Sequence, residues 1–255
     1  GYLVGRKSIL VKYPSGGEDD VYVSGVLLKT TDRGESWKTI DLSKIGDGTN
    51  IALNPGLAGG INLNPFSVLC VDDATAFVFL LWYDVNYSPK KIHSAVFKTT
   101  NGGDKWTAFT PDFGNAYVTT IKMVDTDIYM GGNKILLKAS TTTDTTTDLF
   151  PAFSAVAGSN AFINEIRSFQ ANDLNIITTT GVYNSADGGK TFAKLNGLTG
   201  GNDLFKLDDK VMIALGSSSA SKATINGGTT WVSCYPGKTI FEIPGVFNDS
   251  LYALA

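Results

Sequence analysis

One short phrase occurs four times along the chain, and it constrains the fold more than any other feature of the sequence. Its template is Ser or Thr, any residue, Asp or Asn, any residue, Gly, two further residues and an aromatic ring. A match at several fixed positions that recurs along one chain indicates a structural repeat. The four copies occupy residues 30–37, 99–106, 185–192 and 224–231.

Each part of the phrase has a structural explanation. Asp and Asn accept hydrogen bonds from backbone amides just downstream, and Gly readily adopts positive φ, so the phrase predicts a stiff turn between two strands. The aromatic residue opens the second strand and is expected to bury its ring against the neighbouring repeat. We therefore predict structural roles for Asp32, Gly34, Trp37, Asn101, Gly103, Trp106, Asp187, Gly189, Phe192, Asn226, Gly228 and Trp231.

The sequence before each phrase repeats one order: an apolar strand, a short turn containing Asp or Asn, a second apolar strand and a third strand. Units of four antiparallel strands, each about 40 residues long, are the blades of a β-propeller. We therefore predict a single all-β domain over residues 1–255, with six blades preferred over seven blades or an open ring. No segment predicts a helix. The predicted units are residues 8–41, 64–111, 117–150, 162–195 and 203–234, with a sixth beginning at residue 239.

Two of these units depart from the pattern. The sixth supplies only two strands, and residues 2–5 are expected to complete it as an outer strand, which would leave no free sheet edge. The third lacks the glycine of the phrase, and its threonine-rich residues 141–148 are interpreted as a loosely specified turn.

Composition excludes several classes of function. The 255 residues carry a net charge of -3 and contain only three arginines, so we expect no nucleic-acid partner. The longest apolar run, residues 76–83, is too short for a membrane-spanning helix. Cys70 and Cys234 fall in different units and are expected to be unpaired, and the single histidine, His93, gives no ligand cluster. We expect a monomer with no metal and no cofactor.

The phrase resembles the Asp-box, or BNR repeat, of sialidases, xyloglucan-cleaving glycoside hydrolases, sortilin-type receptors and photosystem assembly factors. This resemblance covers five of the six predicted units. It implies a propeller with each box between the third and fourth strands of a blade, and an extracytoplasmic location. Because the family includes enzymes and pure binding scaffolds, function has to be argued from a site.

The catalytic branches of the family fit the residues poorly. Sialidases imply three arginines that grip a substrate carboxylate, whereas Arg33 of this chain lies inside a box turn. Other glycosidases need two carboxylates that flank the sugar. Glu165 and Arg167 are the charged pair expected to face the central channel, and we interpret them as a structural ion pair. No catalytic residue is predicted, and a sialidase-like or other carboxylate-dependent glycosidase is kept as the alternative.

Two insertions interrupt the repeat, at residues 46–63 and 82–93, and both are expected on the face opposite the boxes. Aromatic rings in the second insertion suit a sugar ring or a peptide side chain, and its polar groups can add hydrogen bonds. The competing interpretation is that Trp82 and Tyr83 extend the preceding strand and pack beneath the loop. The sequence thus predicts a non-catalytic binding or assembly module for a glycan or protein partner. Its candidate ligand-binding residues are Trp82, Tyr83, Asp84, Tyr87 and His93.

Overall fold

The computed structural model describes the chain in several stretches and divides it into two compact units. The units are Gly1–Tyr117 and Val118–Ala255, and each is described by itself. Only the backbone is described for residues 6–12, 18–24, 64, 66, 82–84, 91–92, 242–247 and 250–254. The described residues are 1–12, 18–40, 45, 64–84, 91–110, 112–113, 116–201, 203–216, 221–234, 242–247 and 250–254.

The first unit contains two antiparallel sheets in which each strand pairs with the next along the chain. The first sheet has three strands, β1 (Tyr2–Lys12), β2 (Glu18–Lys29) and β3 (Lys38–Ile40). The second has four strands, β4 (Asn64–Cys70), β5 (Ala76–Asp84), β6 (Lys91–Thr99) and β7 (Thr107–Ala108).

The second unit repeats the four-stranded arrangement three times and adds a hairpin. Its first sheet is β8 (Val118–Val124), β9 (Asp127–Gly132), β10 (Ile135–Ser140) and β11 (Thr146–Asp148). After α1 (Phe150–Ala157) come β12 (Ile163–Arg167), β13 (Leu174–Thr178), β14 (Val182–Ser185) and β15 (Ala193–Lys194). The third four-stranded sheet is β16 (Asp203–Lys206), β17 (Met212–Leu215), β18 (Lys222–Thr224) and β19 (Val232–Ser233). The hairpin is β20 (Glu242–Phe247) and β21 (Ser250–Leu254).

These sheets confirm the all-β class and the meandering four-stranded blade. The four-stranded sheets fall within the predicted residues 64–111, 117–150, 162–195 and 203–234. In three of them the Asp-box phrase joins the third strand to the fourth, as the resemblance implies. The single domain over residues 1–255 and the number of blades stay predictions.

The first sheet corrects the expectation for the amino-terminal residues. Residues 2–5 do not complete the sixth sheet; they begin β1 and pair with the end of β2, Tyr2 opposite Lys29 and Gly5 opposite Val26. The reason is local, because β1 and β2 are consecutive and a short connection closes with little loss of chain entropy. The first sheet therefore begins at Tyr2 and not near residue 8, and it has three described strands rather than four.

One helix, α1, contradicts the expectation that none would form. It covers eight residues and has a proline in its first turn, where the missing amide hydrogen costs no helical bond. The side chain of Asp148 accepts a hydrogen bond from the amide of Phe150 at 2.9 Å. The helix is held by tertiary packing, because Phe153 is fully buried and meets the rings of Tyr183 and Phe192 edge-on, each at 5.3 Å between centroids.

Apolar side chains pack between sheets within each unit. In the first unit one buried cluster joins Leu27, Val78, Leu80, Phe97 and Trp106.

The described residues contain no helix long and apolar enough to cross a membrane. Within the same part of the chain, no three metal-ligating side chains come together. Cys70 and Cys234 are both free thiols.

Candidate functional site

The four copies of the phrase, called boxes below, share one hydrogen-bond pattern that accounts for the hydroxyl, the Asp or Asn and the glycine. The first hydroxyl accepts a bond from the amide of the glycine four positions later, at 2.8, 2.9, 2.8 and 3.1 Å along the chain. It donates to Oδ1 of the Asp or Asn at 2.6 to 2.9 Å. That oxygen accepts the amide two residues after the glycine at 2.9 to 3.0 Å. The glycines have φ between 83° and 95°, a conformation costly for other residues.

The hydrogen bonds lower the pKa of the box carboxylates. In Asp187 the pKa of the carboxyl is lowered to about 2, first by the bond from the Thr191 hydroxyl and then by those from the Thr191 amide and the Ser185 hydroxyl. The Ser36 hydroxyl lowers the pKa of Asp32 in the same way. These carboxylates are fixed as hydrogen-bond acceptors, which suits a structural turn and is the reverse of the raised pKa of a general acid.

The aromatic position of the box is buried in some copies and not in the first. Trp106 is 2% exposed and Phe192 is 9% exposed, whereas Trp37 is 44% exposed. The expectation that every box aromatic is buried is therefore wrong for Trp37. The buried rings are covered by aromatic residues from earlier in the chain: Trp106 meets Tyr2 edge-on at 5.8 Å, and Phe192 meets Phe153 edge-on at 5.3 Å.

In the four sheets that carry a box, the two strands before the box form a hairpin that turns at the opposite end of the sheet. In the first unit these hairpins are long. Strands β5 and β6 have nine residues each, and β1 and β2 have eleven and twelve. Their counterparts are shorter: six residues in β9 and β10, five and four in β13 and β14, and four and three in β17 and β18. We call β5–β6 and β1–β2 the extended hairpins.

The structure brings four of the five candidate ligand-binding residues onto one extended hairpin. Trp82, Tyr83 and Asp84 are the last residues of β5, and the backbone of Trp82 lies opposite His93 of β6. The competing interpretation, that Trp82 and Tyr83 extend the preceding strand, is therefore right for their backbone. Their side chains, Tyr87 and the insertion at residues 46–63 lie outside the described residues.

His93 has a partner that the sequence did not reveal. Its Nδ1 lies 2.5 Å from Oδ2 of Asp112, and the other oxygen of Asp112 accepts the amide of Ser94 at 3.2 Å. The Ser94 hydroxyl donates to the carbonyl of Ala116 at 2.7 Å. These contacts fasten the tip end of the β5–β6 hairpin, where His93 pairs with Trp82, to the segment that follows β7.

Sequence reasoning missed the first extended hairpin altogether. Residues 13–17 read Tyr-Pro-Ser-Gly-Gly between two segments rich in β-branched and apolar residues. A Pro and Gly cluster between such segments is a hairpin signal. It could have marked β1–β2, whose tip points to the same end of its sheet as the tip of β5–β6 does of its own.

The charged pair expected in the second unit has different partners. Arg167 does not pair with Glu165; it donates from Nε and Nη2 to the two oxygens of Asp203, at 2.7 and 2.5 Å. Glu165 accepts the Thr120 hydroxyl at 3.0 Å and lies 3.5 Å from Nζ of Lys122. These contacts tie together the first strands of three successive sheets, so both carboxylates serve the scaffold.

The fold is shared with solved structures, although sequence comparison gives no relatives. No protein-family model and no curated protein sequence matches the chain. A structure of YCF48 bound to D1 peptide matches 86% of this chain and 63% of its own length, with 16% identity and a TM-score of 0.52. YCF48 from Cyanidioschyzon merolae matches 92% of this chain and 76% of its own, with 16% identity and a TM-score of 0.54.

An ancestral GH74 enzyme gives a further match, over 82% of this chain and 28% of that chain, with 15% identity and a TM-score of 0.53. This chain thus spans less than two thirds of the peptide-bound YCF48 and of the GH74 enzyme. At such low identity the likeness concerns the fold. The chain is an all-β protein with the β-propeller fold that these proteins share.

Proposed function

We propose that the chain is a non-catalytic binding module that recognises a polypeptide segment through the extended hairpin β5–β6. The observation that carries the proposal is the length of this hairpin, which exceeds those of the second unit and ends in Trp82, Tyr83 and Asp84. Loops and hairpins held by a rigid scaffold are frequent recognition elements. The extracytoplasmic location implied by the Asp-box resemblance belongs to the same proposal.

The tip end of the hairpin supports recognition because it is anchored. Asp112 binds both the His93 ring and the Ser94 amide, at 2.5 and 3.2 Å. An anchored strand pair loses little conformational entropy when a partner binds, so more of the contact energy contributes to affinity. Tyr and Trp add large rings with few rotatable bonds, which is why they are frequent in protein interfaces.

A polypeptide is favoured over a glycan as the partner. One protein with this fold, YCF48, has been solved with a bound D1 peptide. The sequence of the hairpin also combines aromatic residues with Asp84, Lys90 and Lys91, a mixture that suits a peptide with side chains of both charge signs. Catalysis is not proposed, since Glu165 and Asp203 are each engaged by a cation.

Two parallel screens test this proposal. A random peptide library displayed on phage and a glycan array are probed with the same purified protein, and hits are titrated against variants. We expect enriched peptides whose affinity falls about tenfold or more in Trp82→Ala or Tyr87→Ala, the usual scale of an interface hot spot. Phe169→Ala, which removes an exposed ring from the second unit, is the matched control and should bind normally. Glycan hits without peptide hits would contradict the polypeptide assignment.

A further inference from the structure

A groove on the box side of the first unit has the volume and the polar lining of a second binding site. It has a volume of about 560 Å³, which lies in the range of small-molecule pockets. One wall is the first box with strand β3, and the other is the second box. The lining residues are Lys29, Thr31, Ser36, Trp37, Lys38, Thr39, Ile40, Gly103, Asp104 and Trp106.

Two lysines of the groove face each other across paired strands. Lys29 of β2 lies directly opposite Lys38 of β3, so their side chains share one face of the sheet. Directly opposed like charges disfavour the pairing. Among the described side chains, no carboxylate forms an ion pair with either ammonium group. An anion between the two lysines would relieve their repulsion.

This arrangement is specific to the first box. The residues that flank the other boxes in the same register are Lys98 opposite Thr107, Asn184 opposite Ala193 and Ala223 opposite Val232. The turn itself therefore does not require a lysine pair. Of the four boxes, only the first carries a lysine on both strands, and this pair lines the groove described above.

Trp37 adds a fixed aromatic surface to the same groove. Its Nε1 donates to the carbonyl of Gly34 at 3.1 Å, the bond that Trp106 makes to Gly103 at 3.2 Å. The ring is thus held in the box conformation while 44% of the residue is exposed. A rigid exposed indole is a stacking surface that is available without a loss of side-chain freedom on binding.

The remaining polar groups indicate what the ligand carries besides its anionic group. Thr31 and Thr39 offer exposed hydroxyls. Asp104 of the second box lines the same groove, where its carboxylate can accept hydrogen bonds but disfavours a ligand with more than one negative charge. A ring that carries one carboxylate and several hydroxyl groups would suit the lysine pair, the face of Trp37 and the polar groups of the groove. We propose that the groove binds an acidic sugar, a hexuronate residue, with its carboxylate between Lys29 and Lys38 and its ring against Trp37.

Nuclear magnetic resonance of the indole groups tests this site directly. The protein has four tryptophans, and the signal of Trp37 is identified by its loss in Trp37→Phe. Sodium glucuronate should shift that signal saturably, while glucose at the same concentration should not. Lys38→Gln should weaken binding about tenfold, the effect of losing a charge-assisted hydrogen bond. Lys190→Gln, which removes an exposed charge at a box of the second unit, should leave binding unchanged.

Three results would overturn the proposal. Inorganic phosphate that shifts the Trp37 signal as strongly as glucuronate would reduce the groove to a simple anion site. A tetraglutamate peptide that binds more tightly than glucuronate would assign it to an acidic polypeptide. Indole signals that stay unchanged up to 50 mM glucuronate would show that the groove holds no such ligand. They would mean that any binding free energy is weaker than about 2 kcal/mol. None of these depends on the β5–β6 hairpin.

Discussion

Trp37 and Trp106 make the same indole hydrogen bond to a box glycine, at 3.1 and 3.2 Å, yet differ in exposure from 44% to 2%. The bond to the glycine is internal to the turn and forms in the first and second boxes. In the fourth box, Nε1 of Trp231 is buried and has no hydrogen-bond partner among the described residues. Burial needs a neighbouring surface, and Trp106 has one because it belongs to a buried apolar cluster and meets the ring of Tyr2. Comparing the two residues therefore separates the indole hydrogen bond, which forms within the box, from the burial of the ring, which depends on packing.

The first prediction follows from that difference. Trp106→Ala should lower the free energy of unfolding by about 3–5 kcal/mol, since a fully buried ring leaves a large cavity. Trp37→Ala should lower it by about 1 kcal/mol, because the ring is partly exposed already. Urea unfolding of both variants beside the wild type gives the comparison. Equal losses would show that the ring of Trp37 is buried in solution.

A second prediction concerns Gly103 in the second box. Its φ is 91°, and an added Cβ would lie 2.6 Å from the Tyr2 hydroxyl oxygen, too close for any real contact. Gly103→Ala should cost about 1–3 kcal/mol from backbone strain alone. Gly5→Ala is the control, because a Cβ there meets nothing within 4 Å. A melting temperature lowered equally by both changes would argue against the described turn.

The pH dependence of stability gives a third prediction. The native carboxyl of Asp187 has a pKa of about 2, below its ordinary 3.8. A lowered native pKa stabilises the fold above the ordinary value, and this contribution is lost as the pH falls from about 4 towards 2. Asn occupies the same position in two other boxes, as Asn101 and Asn226, so Asp187→Asn keeps an acceptor that does not titrate.

Urea unfolding between pH 6 and the acid range tests this expectation. The stability of Asp187→Asn should fall less steeply with acid than that of the wild type below about pH 4. The slope will not vanish, because Asp32, Asp72 and Asp208 also have lowered pKa values. Identical slopes for the two proteins would mean that the carboxylate of Asp187 is not engaged by Thr191.

A fourth prediction tests the structural assignment of the second-unit charges. Arg167→Met leaves the carboxylate of Asp203 without its partner, and that side chain is 16% exposed. We expect a loss of about 1–3 kcal/mol, less than for a fully buried pair because Arg167 is partly exposed. Asp203→Asn combined with Arg167→Met should cost less than the sum of the single changes. Strict additivity would show that the two side chains do not interact.

The sequence was sufficient to locate the sheets β4–β7, β12–β15 and β16–β19 because the box is local. Its hydroxyl, Asp or Asn and glycine bond to one another within a few residues, so spacing alone identifies the turn and hence the third and fourth strands. The strands before it are short apolar segments bounded by turns, as at Asp208, whose side chain binds the amides of Lys210 and Val211. Local chemistry of this kind can be predicted from the chain.

Relationships between distant residues could not be predicted in the same way. Arg167 stands two residues from Glu165 but binds Asp203, 36 residues away, because neighbouring sheets bring their first strands together. His93 binds Asp112 for a similar reason. The exposure of Trp37 depends on a neighbouring surface and not on its own box. Helix α1 is too short to show a clear period and is stabilised by the burial of Phe153.

The central claim, that the extended hairpin β5–β6 is the recognition element, can be tested by shortening it. Replacing residues 85–90 with Asn-Gly would connect Asp84 to Lys91 through a two-residue turn that suits paired antiparallel strands. Calorimetric titration with the tightest peptide from the library then compares the shortened protein with the wild type, after equal melting temperatures have been verified. We predict a Kd raised about tenfold or more. An unchanged Kd would contradict the account.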